Sequence, residues 1–217
     1  MTKNPADILF TPATRAVQTR YGSRDTIARM ETRGHWKSRL AEELISFIRT
    51  RNSFYLGTAS REGRPYIQHR GGPTGFIHVL DQETLAWPEF KGNRQHITAG
   101  NLSENNQAFI FFMDYSLPRR VKLWGRAEVV EDFSALIPEI DSQPYYAKTE
   151  RAIRFTVEAW DENCRQYIPE HSTGSELMIE LQKSRNKISS LENKIEQLRQ
   201  FVTTRTGGRL MIPYIRE

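Results

Sequence analysis

Between Ser53 and Trp87 the chain reads as a train of short β-type runs cut by turn signals, and few folds accept that punctuation. The runs are "SFYLGTA" (53–59), "RPYIQHR" (64–70), "TGFIHVL" (74–80) and "TLAW" (84–87). They are separated by Arg61-Glu62-Gly63, Gly71-Gly72-Pro73 and Asp81-Gln82-Glu83, which are turn sequences. Further β-type runs follow at Gln107–Asp114, Arg119–Glu131 and Ala152–Trp160. Many short strands at hairpin spacing, with few helices, predict an antiparallel barrel. Helical spacing of Leu40, Leu44, Phe47 and Ile48 predicts one amphipathic helix over 36–50, and a short helix is expected over 94–99, closed by Gly100-Asn101.

The remaining segments divide the chain. Residues 1–35 hold few apolar runs and read as an N-terminal arm on the body or on a partner subunit; 36–170 is the barrel domain; 175–203 is a long helix; 204–217 is a tail. In the third segment Leu177, Leu181, Ser184, Ile188, Leu191, Ile195, Leu198 and Val202 step alternately by four and three residues, a heptad repeat. Two readings stay open there: a parallel two-stranded coiled coil, or a stripe docked on the chain's own barrel.

At 217 residues with one cysteine, Cys164, the chain can form no intrachain disulfide and no cysteine-cluster metal site, as expected of a reducing compartment. The five histidines, His78 and His96 among them, show no ligand-pair spacing, so no metal is expected. No run reaches the ~20 apolar residues of a membrane span, and residues 1–10 lack a secretory leader pattern, so the expected location is cytoplasmic. The net charge of +5 is spread among acidic residues rather than gathered in a stripe, which argues against nucleic acid as the partner.

The chemistry concentrates in "KGNRQ". Gly92 permits close backbone approach, a helix starting near Asn93 would offer free N–H groups, and Arg94 adds a bidentate fork, a pattern suited to a small phosphate, with Lys91 and Arg70 as further cations. No general acid or base is identifiable, and the catalytic residues are unknown.

The ordered combination of "PYIQHRGGP", "GNRQ", "MDY", "KLWGRA" and the later "VEAWDENCRQYI" resembles the FMN-binding split-barrel family related to pyridoxamine 5'-phosphate oxidase, in its flavin-nucleotide-binding branch. The resemblance spans residues 11–169. It implies a mainly β, six-stranded antiparallel split barrel with flanking helices, an obligate homodimer, and one FMN per subunit in the groove between the two chains. Carried onto this sequence, the cofactor-binding positions are Tyr66, Ile67, Gln68, His69 and Arg70; Trp87, Pro88, Lys91, Gly92, Asn93, Arg94 and Gln95; Arg120, Lys122 and Trp124; and Asn163, Cys164 and Gln166. Taken by themselves, His69 also fits a hydrogen-bonded strand histidine, Trp87 and Trp124 fit core or interface aromatics, and Cys164 fits an inert small residue.

The resemblance also departs from the family. The oxidases end in a Trp-Arg-Leu and Arg-x-x-Tyr type segment, whereas this barrel ends in "AWDENCRQYIPE", so pyridoxal phosphate synthesis is not implied. What remains is an FMN-dependent oxidoreductase acting on a small molecule, with electrons from NAD(P)H or the substrate. The alternatives are a flavin-binding or flavin-storage protein with little turnover and, more weakly, a scaffold whose coil recruits a partner.

Overall fold

The structure is a computed structural model that describes residues 4–134, 136, 148–163, 167, 168 and 174–206. The chain divides into two compact units, Met1–Ile168 and Pro169–Glu217.

The first unit is built on seven antiparallel strands: β1 (Ser53–Ala59), β2 (Pro65–Gly71), β3 (His78–Val79), β4 (Thr84–Phe90), β5 (Gln107–Asp114), β6 (Arg119–Val130) and β7 (Thr149–Asn163). They follow the order β2-β1-β5-β6-β7-β4-β3 in one sheet whose ends do not pair, a split barrel of six main strands with the two-residue β3 at one edge. The expected run at 74–80 contracts to β3 because Phe76 N–H closes a turn onto the Pro73 carbonyl and Gly75 sits at φ +85°. Only glycine takes that backbone freely.

Period-2 alternation explains the core. Phe54 and Leu56 of β1, Ile110 and Phe112 of β5, Val121 and Leu123 of β6, and Leu85 and Trp87 of β4 all turn inward and are buried. Trp87 meets Phe54 edge-on with ring centres 4.9 Å apart. Pro88 stands in β4 beyond the reach of β3, where a missing N–H costs no ladder bond on that side. In β7 the residue Glu158 is extra, and the register with β6 shifts at Trp124/Gly125. A Cβ on Gly125 would fall on the Thr156 carbonyl oxygen, so this bulge requires glycine.

The expected helix over 36–50 shortens to α4 (Glu42–Arg49), preceded in the chain by α1 (Pro5–Leu9), α2 (Pro12–Arg20) and α3 (Arg24–Thr32). Its first turns are lost because 36–40 is bent and non-helical: Lys37 bridges to Trp160 of β7, and Leu40 N–H donates to the Gln82 carbonyl. The segment read as an arm holds the three helices α1 to α3. Asn4 and Thr11 cap the first two through their side chains, and a proline opens each. Beside the barrel end, Asp114 is buried and accepts from Arg51 (2.5 Å), the Ser116 hydroxyl (2.8 Å) and the Ser116 and Leu117 N–H groups (3.0 Å each). Burial raises its pKa, but the Ser116, Leu117 and Arg51 bonds outweigh that and hold the carboxyl below its ordinary range.

Between β4 and β5 lies α5 (Ile97–Glu104), and the second unit contains α6 (Gly174–Thr206), one continuous helix of 33 residues. Among the described residues no helix is long and apolar enough to cross a membrane.

Candidate functional site

Because β2 pairs with β1 in register, its residues split between two faces. Tyr66, Gln68 and Arg70 lie opposite the inward Thr58, Leu56 and Phe54, while Ile67 and His69 point outward, Ile67 being 71% exposed. At the far end of the sheet, the same alternation that buries Leu85 and Trp87 turns Glu89 toward the barrel mouth. There Glu89 accepts from Arg70 Nη2 at 2.9 Å and from Arg151 Nε at 2.5 Å. Arg151 is the register partner of Glu89 on β7, whereas Arg70 comes from the opposite edge strand. One carboxylate thus links the two sides of the split. The three side chains are 12% (Glu89), 12% (Arg70) and 16% (Arg151) exposed.

This cluster borders a cavity of about 230 Å³ lined by Tyr66, Gln68, Arg70, Glu89, Phe90 and residues 92–98, with Glu150 and Arg151. Arg70 Nε is buried and has no hydrogen-bond partner among the described residues. A buried guanidinium N–H without an acceptor is costly; Arg15, Arg51 and Arg120 also bury an Nε without a partner among the described residues, and of the four only Arg70 lines this cavity. Arg151 Nη2 also lies 2.8 Å from His96 Nδ1. A guanidinium can only donate, so in this hydrogen bond Nδ1 of His96 is the acceptor. Thr98, buried on α5, donates to Gln68 Oε1 at 2.9 Å and ties the helix to β2.

The loop that closes the cavity differs from the sequence expectation. The helix begins at Ile97, not near Asn93, and the residues before it include two non-glycine positions in the left-handed region, Arg94 at φ +58° and His96 at φ +53°. Such conformations cost about 1–3 kcal/mol each and gather at ligand sites. Asn93 Oδ1 accepts the Gln95 N–H at 3.2 Å, which steadies the turn between them.

The residues singled out from the sequence therefore separate. Tyr66, Gln68, Arg70, Gly92, Asn93, Arg94 and Gln95 come together around the cavity. Lys91 is exposed, with its backbone N–H on the Lys148 carbonyl; Trp87 is wholly buried in the core; Pro88 is buried against the register partner Ala152. Arg120, Lys122 and Trp124 share the outward face of β6 with Phe109, Phe111 and Met113 of β5, and Trp124 meets Phe109 edge-on at 5.0 Å. Ile67, His69 and Tyr55 continue that face. Asn163 ends β7, and Cys164 and Gln166 lie outside the described residues. Glu89, Arg151, His96 and Thr98 were not anticipated. Glu89 stands within the singled-out stretch between Pro88 and Lys91, but its partners become visible only once β4 is registered against β7.

A comparison with curated proteins finds no match to the sequence. Among solved structures, HupZ of Group A Streptococcus is similar at 16% identity and a TM-score of 0.47, over 61% of this chain and 99% of that one. An FMN-binding protein from Syntrophomonas wolfei is similar at 12% identity and 0.43, over 67% of this chain and 97% of that one. HutZ, the haem storage protein from Vibrio cholerae, is similar at 20% identity and 0.36, over 55% and 90%. The family model described as pyridoxamine 5'-phosphate oxidase matches residues 40–164, from the segment that enters α4 to the end of β7 and all the cavity-lining residues between, so the chain belongs to the pyridoxamine 5'-phosphate oxidase family.

Proposed function

We propose that this protein is an FMN-binding homodimer in which the flavin serves as the redox group of an oxidoreductase acting on a small molecule. The observation that carries the cofactor reading is the unpartnered, buried Nε of Arg70 beside the cavity that Arg94 and Gly92 also line. A terminal phosphate of FMN suits these groups: Arg70 and Arg94 supply charge-assisted donors, and Gly92 lets the backbone approach. Bound flavin would supply hydride or electron transfer; the chain's part is to hold the phosphate, orient the ring and keep cations near it.

Two features support a site shared by two chains. The cavity of about 230 Å³ is smaller than the roughly 300–1,000 Å³ of pockets that enclose a cofactor-sized ligand, so one chain supplies only part of a flavin site. The outward face of β2, β1, β5 and β6 carries Ile67, Tyr55, Phe109, Phe111 and Trp124, an apolar sheet surface suited to a second copy. In this reading Arg120, Lys122 and Trp124 reach the flavin of the partner subunit while Tyr66, Gln68, Arg70 and Arg94 hold the chain's own.

Mass spectrometry of the cofactor released from purified protein tests the first part, with FMN expected and FAD, a deazaflavin or haem overturning it. Anaerobic addition of NADPH tests the second: bleaching of the flavin is expected of the oxidoreductase, and a flavin that stays oxidised with every donor tried makes the protein a flavin binder.

A further inference from the structure

The long helix α6 presents an apolar seam along its whole length. Leu177, Leu181, Ile188, Leu191, Ile195 and Leu198 are 46–63% exposed, although Leu and Ile are ordinarily among the most buried residue types. Apart from Met178, Ile179 and Phe201, the residues of α6 off this seam are mostly polar, and such a helix draws most of its stability in water from covering its apolar stripe.

The spacing identifies what covers it. Steps of four and three residues give a period of 3.5, and on a straight α-helix this stripe drifts by about 20° per heptad. Across the seam from Leu177 to Val202 the drift reaches roughly 70°, which carries the stripe progressively off any straight line of contact. Another helix with the same period follows it by supercoiling. A second copy of this chain offers that helix.

We propose that α6 pairs in parallel and in register with α6 of a second copy, forming a two-stranded coiled coil. Leu181, Ile188, Ile195 and Val202 occupy the a positions and Leu177, Leu191 and Leu198 the d positions, with Ser184 the one polar d residue. β-branched side chains at a with leucine at d favour two parallel strands. The flanking charges agree in that register: Glu180 faces the partner's Arg185 and Lys187 faces the partner's Glu192. Lys194 facing the partner's Arg199 is repulsive, leaving two attractive pairs in each direction against one repulsive pair. The inference does not rest on the flavin reading, since none of these residues lines the cavity.

The test uses the full chain with Cys164→Ser. Leu198→Cys places a thiol at d near the end of the helix, where parallel pairing sets two sulfurs side by side. Mild oxidation should convert most of it to a covalent dimer on a non-reducing gel. Asn193→Cys, on the opposite face, should link far less. A fully overlapped antiparallel pair would hold the two Leu198→Cys sulfurs about 25 Å apart along the axis. Failure of Leu198→Cys to link, or equal linking at both positions, overturns the proposal in favour of antiparallel pairing, docking on the chain's own barrel, or random collision. Adding Ile188→Lys with Ile195→Lys should abolish the linking while flavin content stays as in the Cys164→Ser chain without them. Linking that survives the two lysines also overturns it.

Discussion

Replacing Glu89 by glutamine changes one carboxylate oxygen to an amide and removes the only negative charge that Arg70 and Arg151 share within hydrogen-bond distance among the described residues. The two bonds it accepts are charge-assisted and largely shielded, at about 1.5–3 kcal/mol each. Glutamine retains one acceptor oxygen at neutral strength, about 1 kcal/mol, and turns its NH₂ toward the second guanidinium. The net loss is about 3 kcal/mol, in line with breaking a buried ion pair. With an m-value of roughly 2 kcal/mol/M, the urea midpoint of the unliganded protein should fall by about 1.5 M. Ligand should reverse the order. A phosphate dianion entering the cavity no longer meets a carboxylate, a repulsion of about 2 kcal/mol, so FMN should bind at least tenfold tighter to Glu89→Gln. Urea titrations with and without FMN, alongside fluorescence quenching, measure both effects. A midpoint within 0.3 M of the parent would refute the energetic argument. Equal or weaker FMN binding would place the phosphate away from Arg70 and Arg151.

Three further outcomes follow from the same structure. Arg94→Ala should give a folded protein that binds FMN roughly 10- to 150-fold more weakly by fluorescence quenching at fixed salt, and Arg94→Lys should recover only part of the loss, because a point charge does not reproduce the guanidinium fork. The lowered pKa of Asp114 means that its contribution to stability is present above the unfolded carboxylate pKa and is lost as pH falls through the lower folded value; urea midpoints should therefore drop less steeply in acid for Asp114→Asn, which should itself cost about 3 kcal/mol at neutral pH. Gly125→Ala should destabilise the barrel by more than about 3 kcal/mol or prevent soluble expression, because the new methyl would fall on the Thr156 carbonyl oxygen and against the buried Phe155 ring; a thermal midpoint equal to the parent's would contradict it.

The strands could be read directly because their signals are local: alternation marks each inward face, and glycine or proline marks each turn. The heptad of α6 was legible for the same reason. What escaped depended on pairing between distant segments. Trp36 and Leu40 fit the apolar spacing of a helix over 36–50, yet they are buried from a bent, non-helical segment fastened to Trp160 and Gln82. "KGNRQH" looked like a helix start, but Arg94 and His96 take left-handed backbone that no composition rule assigns to arginine or histidine. Arg70 was identifiable as a cation near a phosphate motif. Its partner on β4 was not, because the sheet must curl before its two ends meet.

The extra residue in β7 also determines where this barrel can change length. Before it, Phe155 and Val157 face inward against Ala127 and Gly125 of β6; after it, Trp160 packs against the core and Asp161 points away. Uninterrupted alternation would have carried Asp161 inward and Trp160 out. Glu158 therefore works as a phase correction between two odd-and-even frames within one strand. Removing Glu158 would close the bulge, leave every other side chain of β7 on its own face and sacrifice only its exposed pairing with Arg126, whereas removing Val157 would close the bulge by placing Glu158 opposite Gly125 on the inward face. Glu158 is thus the residue of this bulge whose loss should displace the fewest side chains.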